Sequence, residues 1–316
     1  MTATAVSRDE VEQAAGRIAG HVRQTPILPM EAGAFRSPCA VVLKLELLQH
    51  AGSFKPRGAF NRVLAAEVPA SGLVAASGGN HGVAVAHVAG ALGHRAEVFV
   101  PSMSAPAKVA RIRALGAEVT VGGALYQDAQ HAATARAAEI GALLVHPYDH
   151  PLVVAGQGTV ARELEGQAPD IDTVLVAVGG GGLIAGVCAW YGDRVKVVGV
   201  EPATSRAMYE ARRAGHPVDV DVSGIAADSL GATAVGAVPF ATITPFLHDA
   251  VIVDDDAIRG AQRALWDAVR LLAEPGGATA LAALLSGAYR GEPGERVAVV
   301  VCGSNVDPST VVAATP

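Results

Sequence analysis

Thr173-Val174-Leu175-Val176-Ala177-Val178-Gly179-Gly180-Gly181-Gly182-Leu183 decides the fold class. An apolar, β-branched run, four glycines and a second apolar run from Leu183 to Trp190 read as buried strand, turn and buried helix. The stretch from Thr173 to Gly192 carries no charge over 20 positions, a membrane-spanning length. Four consecutive glycines at its centre argue against a lipid-embedded helix. Strand, turn and helix in that order are the unit of a parallel α/β sheet.

The flanking sequence repeats the unit. Ser7 to Val22 reads as an amphipathic helix, with Ser7 as N-cap and Glu10 closing a capping box. Val41–Leu45 reads as a strand, Lys55–Ala66 as a helix and Leu73–Ala76 as a short buried strand. Helices Asn80–Leu92, Pro106–Leu115 and Ala124–Ile140 then alternate with strands Ala96–Val100, Glu118–Val121 and Leu143–His146. Helix Val153–Leu164, strand Thr173–Val178, helix Leu183–Trp190 and strand Val195–Val200 continue the pattern. A strand at Ala250–Val253, helices Asp255–Leu272 and Ala278–Ser286, and a strand at Arg296–Val301 close it. We expect two α/β lobes, each an open and mostly parallel sheet flanked by helices, with ligand loops at the strand C-termini facing a cleft.

The chain has 316 residues, half of them apolar but only 4% aromatic, with 36 glycines. That composition suits helices packed closely on a sheet. A net charge of −6 with scattered basic residues gives no nucleic-acid footprint. Cys39, Cys188 and Cys302 are far apart and odd in number, so neither a disulfide framework nor a C-x-x-C zinc pair is present. Arg8, Asp9, Glu10 and Glu12 exclude a secretory signal at the start. These features point to a soluble, cytoplasmic protein without a membrane or nucleic-acid partner.

Gly179 to Gly182, between strand and helix, let backbone N–H groups converge on an anion, and a phosphate is the natural guest. Gly180, Gly182 and Ala185 also satisfy G-x-G-x-x-A, with Glu201 roughly 20 residues on, the spacing of a dinucleotide-binding fingerprint. A tight turn with close helix–strand packing is the alternative reading of the same glycines. A second loop, Ala76-Ser77-Gly78-Gly79-Asn80-His81-Gly82, forms another anion nest suited to a carboxylate, where Asn80 is also a good helix cap. Two such loops suit a ligand with phosphate at one end and carboxylate at the other, such as an amino acid joined to pyridoxal phosphate. Ser53-Phe54-Lys55-Pro56-Arg57-Gly58-Ala59 places a lysine at a helix start, where the dipole and burial both lower an ammonium pKa. That is how Schiff-base lysines become nucleophilic.

At these residues the chain resembles the fold-type II pyridoxal-phosphate enzymes, in particular threonine/serine dehydratases and serine racemase. The resemblance runs from about Thr25-Pro26 to Val306. It includes the lysine and Asn80 loops, Ala155-Gly156-Gln157-Gly158-Thr159, Gly179 to Leu183, Glu274-Pro275-Gly276-Gly277-Ala278 and Val301-Cys302-Gly303-Ser304-Asn305, in family order. It implies a large cofactor domain from 1–70 and 149–316, a small substrate-side domain from 71–148, and a homodimer. It implies that Lys55, beside Phe54, carries pyridoxal 5′-phosphate and acts as base at the substrate α-carbon. Asn80 would bond the ring hydroxyl, Gly179, Gly180, Gly181, Gly182 and Leu183 the phosphate, and Ser77, Gly78, Gly79, Asn80 and His81 would surround the carboxylate. Glu274 would lie near the ring and Cys302 against the pyridine nitrogen, with Ser304 able to compete for that contact. A neutral Cys302 weakens the electron sink and favours prompt loss of a β-leaving group. Cys302 also reads as a small buried hydrophobe at a strand end.

Two departures narrow the activity. Racemizing relatives carry a serine where this chain has Gly78, so the second-face base is missing and elimination is expected. Metal-binding relatives use a glutamate, a carbonyl and an aspartate; Glu201 and Ser205 match, but Ala207 replaces the aspartate. That weakens a divalent site and leaves room for a monovalent cation. His146 and His150 are separated by Pro147 and cannot form a helical metal pair. The expected reaction removes water and ammonia from L-threonine or L-serine, giving a 2-oxo acid. The chain stops soon after Asn305, so no C-terminal regulatory domain is expected. Serine, threonine, hydroxyaspartate and bulkier β-hydroxy amino acids share this chemistry, and Ser223 to Ala232 is expected near the cofactor. Other readings stay open: racemase or β-replacement synthase on the same fold, a nicotinamide-dependent oxidoreductase, or a cofactor-binding protein without turnover.

Overall fold

The computed structural model describes residues 4–312 apart from positions 32, 103, 105 and 125. Among the described residues ten strands fall in chain order: β1 (Ile27–Pro29), β2 (Ala40–Lys44), β3 (Leu73–Ala76), β4 (Ala96–Val100) and β5 (Glu118–Val121) come first. β6 (Leu143–Leu144), β7 (Thr173–Ala177), β8 (Lys196–Pro202), β9 (Leu247–Val253) and β10 (Arg296–Val300) follow. They form a six-stranded sheet ordered β1-β2-β10-β7-β8-β9 and a four-stranded sheet ordered β5-β4-β3-β6. Every pairing is parallel except β1 with β2. The antiparallel edge strand β1 was not read from the sequence, because three residues ending in proline give no usable period.

The helices before β7 are α1 (Arg8–Ile18), α2 (Lys55–Leu64), α3 (Asn80–Leu92), α4 (Pro106–Ala114), α5 (Tyr126–Ile140) and α6 (Pro151–Gln167). After it come α7 (Gly182–Tyr191), α8 (Ala207–Ala214), α9 (Ala227–Leu230), α10 (Ala237–Ile243), α11 (Asp255–Val269), α12 (Pro275–Ser286) and α13 (Ser309–Val312). The capping box of α1 is formed by Ser7 and Glu10. Helix α11 ends three residues earlier than its periodicity predicts, because Arg270 turns into the left-handed region at φ 57°. The short helices α8 to α10 are additions to the sequence reading.

Every residue of β3 and β7 is buried, as strands covered on both faces must be. In the smaller sheet the period of two sorts side chains cleanly: Leu73 and Ala75 pack toward α3, Val74 and Ala76 toward α5. Helix α5 meets the sheet with Ala129, Ala133 and Ala137, four residues apart on one face.

Glycines set the closest helix contacts in the larger half. A Cβ on Gly156 would lie 2.6 Å from the Arg57 carbonyl oxygen and 2.7 Å from Gly58 Cα; one on Gly186 would lie 2.3 Å from the Gly158 backbone nitrogen. Helix α6 therefore touches α2 and α7 backbone to backbone. Gly156→Ala is expected to destabilise the protein by about 1–3 kcal/mol, although alanine is the better helix former. Gly166→Ala, on the same helix with open space around it, should be neutral or stabilising. Urea midpoints at unchanged m-value distinguish the two, and equal behaviour would refute the packing argument.

Order in the sheets places the ligand loops. Strand β7 lies between β8 and β10, and β3 between β4 and β6. At both places the chain winds away in one direction and later returns on the other side, opening a crevice beyond the strand C-termini. The glycine loop follows β7, Cys302 follows β10, and the Ser77–His81 loop follows β3.

Candidate active site

Lys55 is the first residue of α2, and the chain before it is pinned to the loop after β10. Phe54 N–H donates to the Cys302 carbonyl at 3.2 Å, and Ser53 forms an isolated bridge with Gly303. Lys55 Nζ donates to the Pro147 carbonyl at 3.0 Å. Burial pushes its pKa down to about 8, opposed by the nearby Cys302 and Glu274. Burial is thus the leading cause, acting in the direction expected at a helix start.

Phe54, Lys55, Asn80, Gly179 to Leu183, Glu274 and Cys302 line one narrow slot of about 40 Å³. The slot shares Lys55, Asn80 and Gly179 with a cavity of about 240 Å³ that Ser77, Gly78, Gly79 and His81 also line. Residues from distant segments, singled out by sequence, are brought together here.

The two glycine loops supply free amides. Helix α7 starts from Gly181 at φ 88°, α3 from Gly79, and neither has a side-chain cap. Among the described residues the N–H groups of Gly180 to Leu183 and of Asn80 and His81 meet no protein acceptor. Uncapped helix N-termini of this kind bind anions. The Tyr148 ring lies against the first loop, 2.4 Å from where a Cβ on Gly180 would stand, so no side chain fits at that position.

The polar groups around the slot are interlocked. Asn80 Nδ2 donates to Glu274 Oε1 at 2.5 Å, and Asn305 Nδ2 donates to Asn80 Oδ1 at 2.6 Å. Burial raises the Glu274 carboxyl pKa. Burial also raises the Cys302 thiol, which donates to the Gly276 carbonyl at 3.4 Å, so Cys302 presents a neutral group. His81 is bonded to the Val145 carbonyl at 2.8 Å and is pushed down to about 3 by burial, reinforced by Lys55. It is uncharged at neutral pH.

Two sequence expectations, for Ser304 and for Glu201, meet different surroundings. Ser304 lies outside the slot; its Oγ donates to the Leu47 and Gly52 carbonyls at 3.3 Å, and its N–H to Gly52. The strand has ended by then, so two-residue alternation no longer puts Ser304 beside Cys302. Glu201 is fully buried, and its two oxygens accept from Met208 N–H and Tyr209 N–H at 2.7 Å each, capping α8. A carboxylate so engaged is not presented to a ribose, which removes the anchor of the dinucleotide reading. Ser205 Oγ donates to the Leu230 carbonyl at 2.8 Å. Among the described residues no group of three or more His, Cys, Asp or Glu side chains could hold a metal ion. His146 and His150 each accept backbone N–H groups at the turn into α6.

Pro101, Ser104, Tyr126, Tyr148 and the 227–232 segment, which begins with α9, also line the larger cavity. Only the last was anticipated, within Ser223 to Ala232. The available signal for Tyr148 was its place just after a strand, where α/β ligand loops lie. Asp228 of α9 forms an ion pair with Lys108 of α4.

A family model described as pyridoxal-phosphate dependent enzyme matches residues 18–303. The biosynthetic L-threonine dehydratase of Salmonella typhimurium is 39% identical over 289 residues, 90% of this chain and 56% of that protein. The chain thus spans little more than half the length of that relative. A threonine deaminase from T.th. superposes with a TM-score of 0.89 at 35% identity, covering 95% of this chain and 99% of that one. Maize serine racemase superposes with a TM-score of 0.91 at 30% identity, covering 98% and 97%.

Proposed function

The chain belongs to the pyridoxal-phosphate dependent enzyme family, and from that premise we propose that it eliminates water and ammonia from a small β-hydroxy amino acid. The observation that carries the reading is the meeting of one half-buried lysine with two uncapped, glycine-rich helix starts. The residues fit the cofactor. Gly179 to Leu183 would hold its phosphate, Asn80 and Glu274 would face the ring, and Cys302 would oppose the pyridine nitrogen. Bound there, pyridoxal phosphate supplies the electron sink that makes an α-proton removable.

The chain's own groups do the rest. Lys55, ionising near 8, holds or releases a proton at neutral pH and acts as base at the α-carbon. The amides at the start of α3 bind the carboxylate and orient the substrate. The α-proton passes to Lys55 and is made good at the departing β-hydroxyl, which takes up one proton and leaves as water, and hydrolysis of the product yields a 2-oxo acid and ammonia. Gly78 offers no side chain to carry a proton on the second face, which favours elimination over inversion. The proposal extends to the division into domains 1–70 with 149–316 and 71–148, and to a cytoplasmic homodimer.

The test is a panel of β-hydroxy amino acids assayed for 2-oxo acid and ammonia. L-threonine should give 2-oxobutanoate and L-serine pyruvate, each with one equivalent of ammonia. No 2-oxo acid from any member of the panel would sink the reading.

A further inference from the structure

The Ser77–His81 loop leaves β3 and the segment containing Ser104 leaves β4, and these strands are adjacent and parallel. Their C-terminal loops therefore lie side by side. A Cβ on Gly78 would stand 2.1 Å from Ser104 Oγ and 2.8 Å from Ser104 Cβ. The hydroxyl of Ser104 occupies the space that any side chain at 78 would need. The backbone N–H of Ser104 donates to the Pro101 carbonyl at 3.0 Å, which fixes the turn. Its Oγ has no hydrogen-bond partner among the described residues, and Ser104 lines the larger cavity with Lys55 and Gly78.

A carboxylate in that cavity finds few strong donors. His81 is neutral, its ring nitrogen already bonded to the Val145 carbonyl. Asp228 is itself an anion, and the Lys108 cation is paired to it. Ser77 Oγ accepts from Gly79 N–H at 3.1 Å. What remains are the free amides at the start of α3 and hydroxyls that can rotate toward the ligand. We propose that Ser104 is a substrate-binding residue whose hydroxyl donates to the substrate carboxylate over Gly78; the identity of that ligand rests on the function proposed above. The same contact explains why a side chain at 78 is not accommodated while Ser104 keeps its place.

The test uses holoenzyme loaded with pyridoxal phosphate and titrated with L-alanine, which has the carboxylate and amine but no β-hydroxyl. Cofactor absorbance reports binding. Ser104→Ala should weaken L-alanine binding about tenfold, the size of one hydrogen bond to a charged group. The KM for the hydroxy substrate should rise by a similar factor, while kcat stays within about twofold. Ser104→Thr, which keeps the hydroxyl, should restore most of the affinity. Gly78→Ala, which displaces the hydroxyl, should weaken L-alanine as Ser104→Ala does. Unchanged L-alanine affinity in Ser104→Ala overturns the proposal, even where KM rises, because the hydroxyl would then read the β-substituent. A wild type that releases no 2-oxo acid would defeat the elimination reading alone, since the L-alanine titration still decides the role of Ser104.

Discussion

Lys55→Met is expected to abolish 2-oxo acid formation, lowering kcat/KM by roughly four orders of magnitude or more, because in the proposed function one side chain both anchors the cofactor and moves the proton. The same variant makes the cofactor-free protein more stable. Burial holds the folded pKa at about 8 against 10.5 for the free side chain. Below pH 8 both states are protonated, and the folded state carries the charge at a cost of about 3 kcal/mol. Between pH 8 and 10.5 the unfolded chain binds more protons, so wild-type stability rises with pH and the penalty disappears. Urea melts of the apo-protein should therefore favour Lys55→Met by up to about 3 kcal/mol at about pH 7, with the advantage fading by about pH 10.5. Borohydride reduction should fix pyridoxal phosphate to the wild type alone, and cofactor attachment to the apo-protein should speed up as pH rises through about 8. A variant no more stable than wild type at neutral pH would show that Lys55 is not held in a desolvated site.

What the sequence made legible was local. The strand, four glycines and helix from Thr173 to Trp190 announce themselves by composition, and β7 and α7 lie there. Lys55 and Asn80 were found because each begins a helix directly after a loop. What stayed hidden depends on which strands are neighbours. Ser104 and Tyr148 enter the cavity because β4 and β6 flank β3, an order that no local pattern encodes. The engagement of Glu201 was invisible for a related reason. Its carboxylate caps α8, a helix whose periodicity had not been read, so the strand end was right and the side chain's task was not. Between Pro202 and Leu247 three short helices sit among bends, too brief for periodicity to register.

Arg57→Met is expected to cost about 3–5 kcal/mol, the range for breaking a buried ion pair from one side. Arg57 is two residues after Lys55, about 200° around α2, so Lys55 faces the slot and Arg57 the opposite side. There its fully buried guanidinium makes a fork–fork pair with Glu46, Nε and Nη2 each at 2.8 Å, and meets Glu163 at 2.8 and 2.9 Å. Lys44 donates to the same Glu163 at 2.9 Å, so two cations balance two carboxylates. The arginine's proton is held more tightly than usual by Glu46 and Glu163 despite burial, and the Glu163 carboxyl, although burial pushes it up, stays below its ordinary range through the hydrogen bond from Arg57. Removing Arg57 takes away the ion-pair partner of the buried Glu46, which keeps a hydrogen bond from the Thr25 hydroxyl. Arg57→Lys should rescue little, because an ammonium cannot reproduce the planar fork. Removing both partners in Arg57→Met/Glu46→Met leaves Lys44 with Glu163, and the double variant should be more stable than Arg57→Met alone. Since the cluster clamps the first turn of α2 from behind, activity should fall further in Arg57→Met than loss of folded protein explains, with Lys55 no longer held at Pro147. A single variant costing under about 1 kcal/mol, or a double variant that is simply additive, would show that the cluster does not set the position of the lysine.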